Sequence, residues 1–401
     1  MNSNRFTSLP LSLYIHIPWC VRKCPYCDFN SHNAPNELPQ REYIEALLRD
    51  LEQDLALARS RPLHSIFFGG GTPSLFSADN IARILAGVQA RLDFAAAAIE
   101  ITLETNPGTV EHAPFADYRR AGVNRISFGV QSFDDAALKR IGRIHSASEA
   151  DRAIKSAQDA GIENLNLDLM YALPQQTLAG ALDDIDKALA LRTPHLSHYQ
   201  LTLEPNTQFA ANPPPLPDDD AAWDMQEACQ ARLTQAGMAQ YEVSAYARPG
   251  SECAHNLNYW RFGDYLGIGA GAHAKLTADD GNVRRRWKVR APRGFLEHAG
   301  TPRGIGGDEA VPREQLPFEF MLNALRLNGG FEMREFVART GLDGNTIAAP
   351  LAQAQQRGWL TQDAEQIRAT ELGKRFLNDV IASFLPQQPR RARSHGGPPH
   401  A

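Results

Sequence analysis

Cys20-Val21-Arg22-Lys23-Cys24-Pro25-Tyr26-Cys27 follows the apolar run Leu13-Tyr14-Ile15-His16-Ile17 and places three cysteines within eight residues. Thiolates this close together serve a metal ion or an iron–sulfur cluster. A [4Fe–4S] cube is ordinarily held by four cysteines. A loop with three would hold three irons and leave the fourth open to another ligand. Zinc is a competing reading, but it takes four ligands, commonly in two pairs. His16 or His32 could complete a zinc set, whereas Cys229 and Cys253 stand apart and give no second pair. Buried structural cysteines are the third reading. A disulfide would leave one cysteine of the loop unpaired.

The apolar run before the loop reads as a strand, and the same pattern recurs downstream. Strands are expected at Leu13–Ile17, Ser65–Phe68, Ile99–Glu104, Arg125–Val130, Asn164–Met170 and His198–Leu203. Helical patterns separate them. Tyr43, Ile44, Leu47, Leu48, Leu51 and Leu55 are spaced for one buried face. Ser146-Ala147-Ser148-Glu149 is a capping box opening a helix that ends near Gly161. Repeated βα units predict an α/β protein with a parallel sheet, as a barrel or a doubly wound sheet. Both architectures place the ligand site at the C-terminal ends of the strands. The cysteine loop therefore lies at that rim.

The rhythm breaks at residues 204–220, where Pro213-Pro214-Pro215-Leu216-Pro217-Asp218-Asp219-Asp220 reads as a loop. A helix from Ala221 to Gln235 follows, with strands at Tyr241–Tyr246, Ala272–Thr277 and Arg285–Val289. Gly304-Ile305-Gly306-Gly307 reads as a domain boundary. From Gln315 to Leu385 the pattern is three helices, a hairpin around Trp359-Leu360 and Gln366–Ala369, and a last helix. That order is winged-helix-like. The division is 1–210, 211–303 and 308–385, with a disordered tail at 386–401 rich in Pro, Gly and Arg.

The 401 residues are 43% hydrophobic and 22% charged, with a net charge of −5. That balance suits a globular chain with a sizeable core and gives no basic field for nucleic acid. Five cysteines in this length do not make a disulfide scaffold. The N-terminus leads to no apolar signal core and no apolar run is long enough for a bilayer. The expectation is a cytoplasmic protein.

The cysteine loop, with Tyr26 before its last cysteine, resembles the signature of the radical S-adenosylmethionine (SAM) superfamily. The resemblance implies a partial, TIM-like (β/α)6 barrel with a small α+β extension and a C-terminal winged-helix-like domain. It also implies a [4Fe–4S] cluster on Cys20, Cys24 and Cys27 whose open iron takes SAM. Phe68-Gly69-Gly70-Gly71-Thr72-Pro73-Ser74 resembles the superfamily's glycine-rich SAM motif. Its particular form, with Tyr14-Ile15-His16-Ile17-Pro18 ahead of the loop, is similar to the subfamily of the oxygen-independent coproporphyrinogen III oxidase HemN and the haem chaperone HemW. By that resemblance Tyr14, Tyr26, Gly70, Gly71, Thr72, Glu104, Gln131, Arg143 and Asp168 contact SAM. Taken singly, each reads as an ordinary polar or glycine residue at a strand end.

Two departures point from the oxidase to the chaperone. The oxidase has a cysteine two positions after the last cluster ligand, where this chain has Phe29, and it carries a longer N-terminal arm. His255-Asn256-Leu257-Asn258-Tyr259-Trp260 resembles the chaperone's HNxxYW motif, implying that His255, Tyr259 and Trp260 contact haem. The cofactors implied are the cluster, SAM and haem. The partners are haem and haem-accepting proteins such as respiratory-chain enzymes, with no nucleic acid. Peripheral association with membrane proteins and a homodimer stay open. No catalytic residue is assigned, and coproporphyrinogen oxidation is not expected. Without the resemblance, His255 reads as a satisfied loop histidine and Trp260 as a core anchor. Cys253 reads as a small buried hydrophobe. Gly267-Ile268-Gly269-Ala270-Gly271-Ala272-His273 reads as a tight turn with close packing, because no helix or acidic partner follows it; His273 receives no role.

Overall fold

Leu11–Ile17 forms strand β1, in which every residue except Tyr14 is fully buried. The next five strands are also mostly buried: β2 Leu63–Gly70, β3 Glu100–Thr105, β4 Arg125–Gln131, β5 Asn164–Tyr171 and β6 His195–Gln200. Near-continuous apolar runs mark strands of a parallel sheet covered on both faces. The computed structural model describes residues 9–108 and 114–386. The tail Gln387 to Ala401 lies outside the described residues.

The six strands pair in parallel and in chain order. A doubly wound sheet would reverse direction part-way. Unbroken order is that of a barrel wall. The outer layer is α1 Gln40–Ala58, α2 Ala78–Gln89, α3 Phe115–Ala121, α4 Asp135–Arg140, α5 Ala147–Asp159 and α6 Leu178–Ala190. The expected capping box at Ser146 and Glu149 is present. Gly161 follows α5 in the left-handed region at φ 77°.

The sixth strand starts three residues earlier than the expected His198. His195 carries no apolar signal, yet it is buried between Asn166 (2.6 Å) and the Tyr241 hydroxyl (2.9 Å). The apolar Leu201 and Leu203, read as its end, lie in the following loop.

After the short helix α7 Gln208–Ala211, α8 Asp219–Gln235 opens on an Asp218 cap whose carboxylate accepts from Ala221 N at 2.8 Å. The expected single strand Tyr241–Tyr246 is instead a hairpin of β7 Ala239–Glu242 and β8 Ala245–Ala247, turning at Val243-Ser244 and pairing antiparallel to β6. Helix α9 Ala254–Trp260 carries the HNxxYW motif. Strand β9 Asp264–Ile268 adds in parallel to β1, followed by antiparallel β10 His273–Thr277 and β11 Val283–Lys288.

Helix α10 Pro292–His298 precedes a last strand, β12 Ile305–Ala310. The glycine run read as a boundary is therefore inside the 12-stranded sheet, at its edge on β11. Trp287 lies across it: a Cβ on Gly307 would sit 2.0 Å from the indole. The glycines make room for that ring.

Buried charges tie this extension to the barrel. Lys288 on β11 donates to Asp50 (2.5 Å) and Asp54 (2.7 Å) of α1, all three being buried. Asp50 also accepts from Gly269 N at 3.0 Å, and the Tyr43 hydroxyl accepts from Ala270 N at 2.9 Å. The glycine motif between β9 and β10 is a turn packed against α1.

The C-terminal part has α11 Leu316–Ala324, β13 Phe331–Glu332, α12 Met333–Thr340, α13 Ala348–Gln356, and the hairpin β14 Leu360–Asp363 with β15 Gln366–Ala369. The expected last helix is two, α14 Glu371–Arg375 and α15 Leu377–Ala382, broken where Phe376 leaves helical geometry. The three-stranded sheet runs β13-β15-β14, the winged-helix arrangement. Its core includes Phe262 and Val283 of the extension. No described helix is long and apolar enough to cross a membrane.

Candidate functional site

The cysteine loop is held to the barrel rim by its backbone. Ala34 N donates to the Cys20 carbonyl and Thr72 N to the Trp19 carbonyl, each at 2.7 Å. Trp19 is buried between Tyr43 (4.8 Å between ring centroids) and Phe76 (6.2 Å). A Cβ on Gly71 would sit 2.5 Å from the Trp19 carbonyl oxygen, so glycine is required for this approach.

Cys20, Cys24 and Cys27 all line one cavity of about 270 Å³ at the C-terminal strand ends. Tyr26, Gly70, Gly71, Glu104, Gln131, Arg143 and Asp168 share it. Burial pushes the Cys20 and Cys27 thiols above the usual range. Among the described residues no three His, Cys, Asp or Glu side chains gather around a single ion position. Three thiols lining one cavity are the kind of donor set a multi-iron group takes.

The same cavity holds two half-buried carboxyls. Glu104 accepts from Gly70 N at 3.2 Å. Burial, reinforced by Asp168, pushes its carboxyl up to about 8. Asp168 is also raised by burial, although Asn166 (2.8 Å) and Ser127 (3.2 Å) donate to it. Two carboxyls short of countercharge favour a cationic ligand. Arg143 lies beside the thiols. Its guanidinium donates to Asn106 Oδ1 at 2.5 Å and to the Gly129 carbonyl, and reaches Cys24 Sγ at 3.6 Å. Gln131 ends β4 at φ 71°, a costly geometry for a residue with a side chain, and accepts from the Tyr199 hydroxyl at 2.9 Å.

Thr72 lies beside this cavity rather than in it; its hydroxyl accepts from Asn106 at 2.7 Å. Tyr14 faces a second cavity of about 450 Å³ with Tyr259, Tyr265, His273 and Arg290. Asp28, Phe29, Gly70 and Glu104 line both cavities.

The HNxxYW residues do not act together. His255 is buried at 1% exposure, with Nδ1 2.9 Å from the Ser65 hydroxyl and Nε2 2.8 Å from that of Tyr259. Burial lowers its pKa to about 3. Glu100 fixes the start of α9, accepting from Ala254 N and His255 N at 3.0 Å each. His255, from which haem contact is expected, lines neither of these two cavities. Trp260 lies under the Arg326 guanidinium, 4.3 Å from its ring centroid, at the C-terminal domain. Of the three, Tyr259 lines the second of these two cavities. Cys253 is buried with its thiol pushed up to about 12 by burial.

Sequence reasoning missed Tyr199 and Asn106. Tyr199 was hidden by the three-residue shift in β6, which placed it near the start of its strand. Asn106 stands in Glu104-Thr105-Asn106-Pro107, where a polar residue after a strand was a usable signal.

The chain matches the radical SAM superfamily over residues 14–188 and the HemN C-terminal domain over residues 311–376. It is 54% identical to the heme chaperone HemW of Escherichia coli over 94% of this chain and 98% of that protein. The chain belongs to the HemW family. A HemW of Haemophilus influenzae is 51% identical over 94% of this chain and 99% of its own length. The HemW of Bacillus subtilis is 33% identical over 93% and 99%. The solved structure of the Escherichia coli coproporphyrinogen III oxidase HemN superposes with a TM-score of 0.78 at 22% identity, covering 95% of this chain and 91% of that one. That similarity shows a shared fold: the barrel, the extension and the C-terminal domain are common to this chain and HemN.

Proposed function

We propose that this protein is a cytoplasmic haem chaperone that binds haem, a [4Fe–4S] cluster and SAM, and passes haem to acceptor proteins such as respiratory-chain enzymes. The observation that carries this reading is the 54% identity to a heme chaperone along nearly its whole length. The cavity supports it. Cys20, Cys24 and Cys27 would hold the cluster, which supplies an open iron and a single electron. Glu104 and Asp168 present half-buried carboxyls to a cationic ligand, and binding such a ligand would draw the Glu104 proton off. Arg143 is positioned for a ligand carboxylate. Tyr199 fixes the Gln131 amide, and Gly70 and Gly71 let the backbone close over the site.

The test is anaerobic purification of the full chain, haem titration, and transfer to a haem-free acceptor. Haem uptake with transfer is expected. Repeated conversion of coproporphyrinogen III to protoporphyrinogen with SAM and reductant would replace this reading with the oxidase.

A further inference from the structure

The second cavity has the chemistry of a porphyrin seat, and this inference rests on the chaperone reading above. We propose that haem sits in the cleft between Tyr14, Tyr259 and Tyr265 and the β9–β10 turn, with His273 as iron ligand and Arg290 as propionate partner. Its volume of about 450 Å³ falls within the roughly 300–1,000 Å³ usual for ligand pockets.

The walls are aromatic. Tyr14, Tyr259 and Tyr265 line the inner side. Phe29 stands at the shared wall with the cluster cavity and is 61% exposed. An apolar ring left in water beside a cleft is available to pack on a flat ligand.

Two histidines line the cleft, and they differ in their ring nitrogens. His16 is committed, with Nδ1 3.0 Å from the Tyr14 hydroxyl and Nε2 2.9 Å from the Asn30 carbonyl. His273 is exposed, and its ring contact is a stack on Trp287 at 6.0 Å. No described residue hydrogen-bonds its imidazole. Partial burial and the nearby Arg285 and Arg290 lower its pKa, which favours the neutral ring that offers a lone pair to iron. Arg290 is exposed and forms no ion pair among the described residues. A free guanidinium at a cleft mouth is suited to a carboxylate. Neither residue belongs to the HNxxYW motif. Tyr259, which does, reaches the cleft while its own hydroxyl engages His255. The motif would then shape a wall and supply no iron ligand.

The experiment is titration of cluster-reconstituted full chain with ferric haem, comparing wild type, His273→Ala, His273→Gln and Arg290→Ala. Cluster content and circular dichroism check the fold. The expected result is a Soret band in the wild type that shifts in both His273 variants, with affinity reduced at least tenfold. Added imidazole restores the wild-type spectrum in His273→Ala. Arg290→Ala keeps the spectrum and loses several-fold in affinity. Wild-type spectra and affinity in both His273 variants would overturn the site and leave the chaperone reading standing. No haem uptake by the wild type would overturn that reading, and this site with it.

Discussion

The Nε2 of His255 lies 2.8 Å from the hydroxyl of Tyr259, one turn further along α9, and its Nδ1 lies 2.9 Å from Ser65 on β2. Both ring nitrogens of the imidazole are therefore engaged inside the protein. Replacing His255 with Ala takes the partner from the Tyr259 hydroxyl, leaves Ser65 with Ser12 alone, and opens a void. The expected loss is about 2–4 kcal/mol of stability. Chemical denaturation measures it. The haem spectrum of folded variant should match the wild type; a lost axial-ligand signature would return His255 to the iron.

Any one of Cys20→Ala, Cys24→Ala or Cys27→Ala should abolish stable cluster assembly. Iron and sulfide content and the broad charge-transfer absorption near 400 nm fall together. The thiols are part-exposed, so secondary structure by circular dichroism should hold. Iron retained at wild-type level in all three variants would remove the loop as the cluster site.

Glu104 gives a pH signature. Its carboxyl is raised from an ordinary 4.5 to about 8. The folded protein therefore binds a proton that the unfolded chain releases. The resulting stability is full below pH 4.5 and is lost as pH rises through 8, at up to about 1.4 kcal/mol per pH unit. Ligand-free Glu104→Gln should lack this contribution and be less destabilised than wild type as pH rises from 4.5 to 8. SAM affinity in the same variant should fall, because the neutral amide cannot become a carboxylate. Parallel stability curves for the two proteins would place the Glu104 proton elsewhere.

Lys288 is buried against Asp50 and Asp54. Lys288→Met leaves Asp50 without a cation in the interior and Asp54 with Arg286 alone, and a loss of about 3–5 kcal/mol is expected. Adding Asp50→Asn should recover part of it. Thermal melts of the singles and the double give the coupling; simple additivity would mean that the pair does not hold the extension to α1.

Much of the barrel was legible because its strands are buried on both faces and so carry unbroken apolar runs. β1 to β5 were found within two residues of their true ends for this reason. β6 slipped because His195 buys its burial with two hydrogen bonds and adds nothing to an apolar pattern. The edge strand β12 was mistaken for a boundary because its glycines answer to Trp287, some twenty residues earlier, and not to a turn.

The local sequence determined the cysteine loop, the glycine loop after β2 and the order of the βα units, since each depends on neighbours a few residues apart. Only the tertiary structure decided which groups share a cavity. His255 and Ser65 are 190 residues apart, Arg143 and Cys24 are 119 apart, and His273 and Tyr14 line one cavity. Burial, ring engagement and proton affinity are set by such distant partners, and no local pattern encodes them.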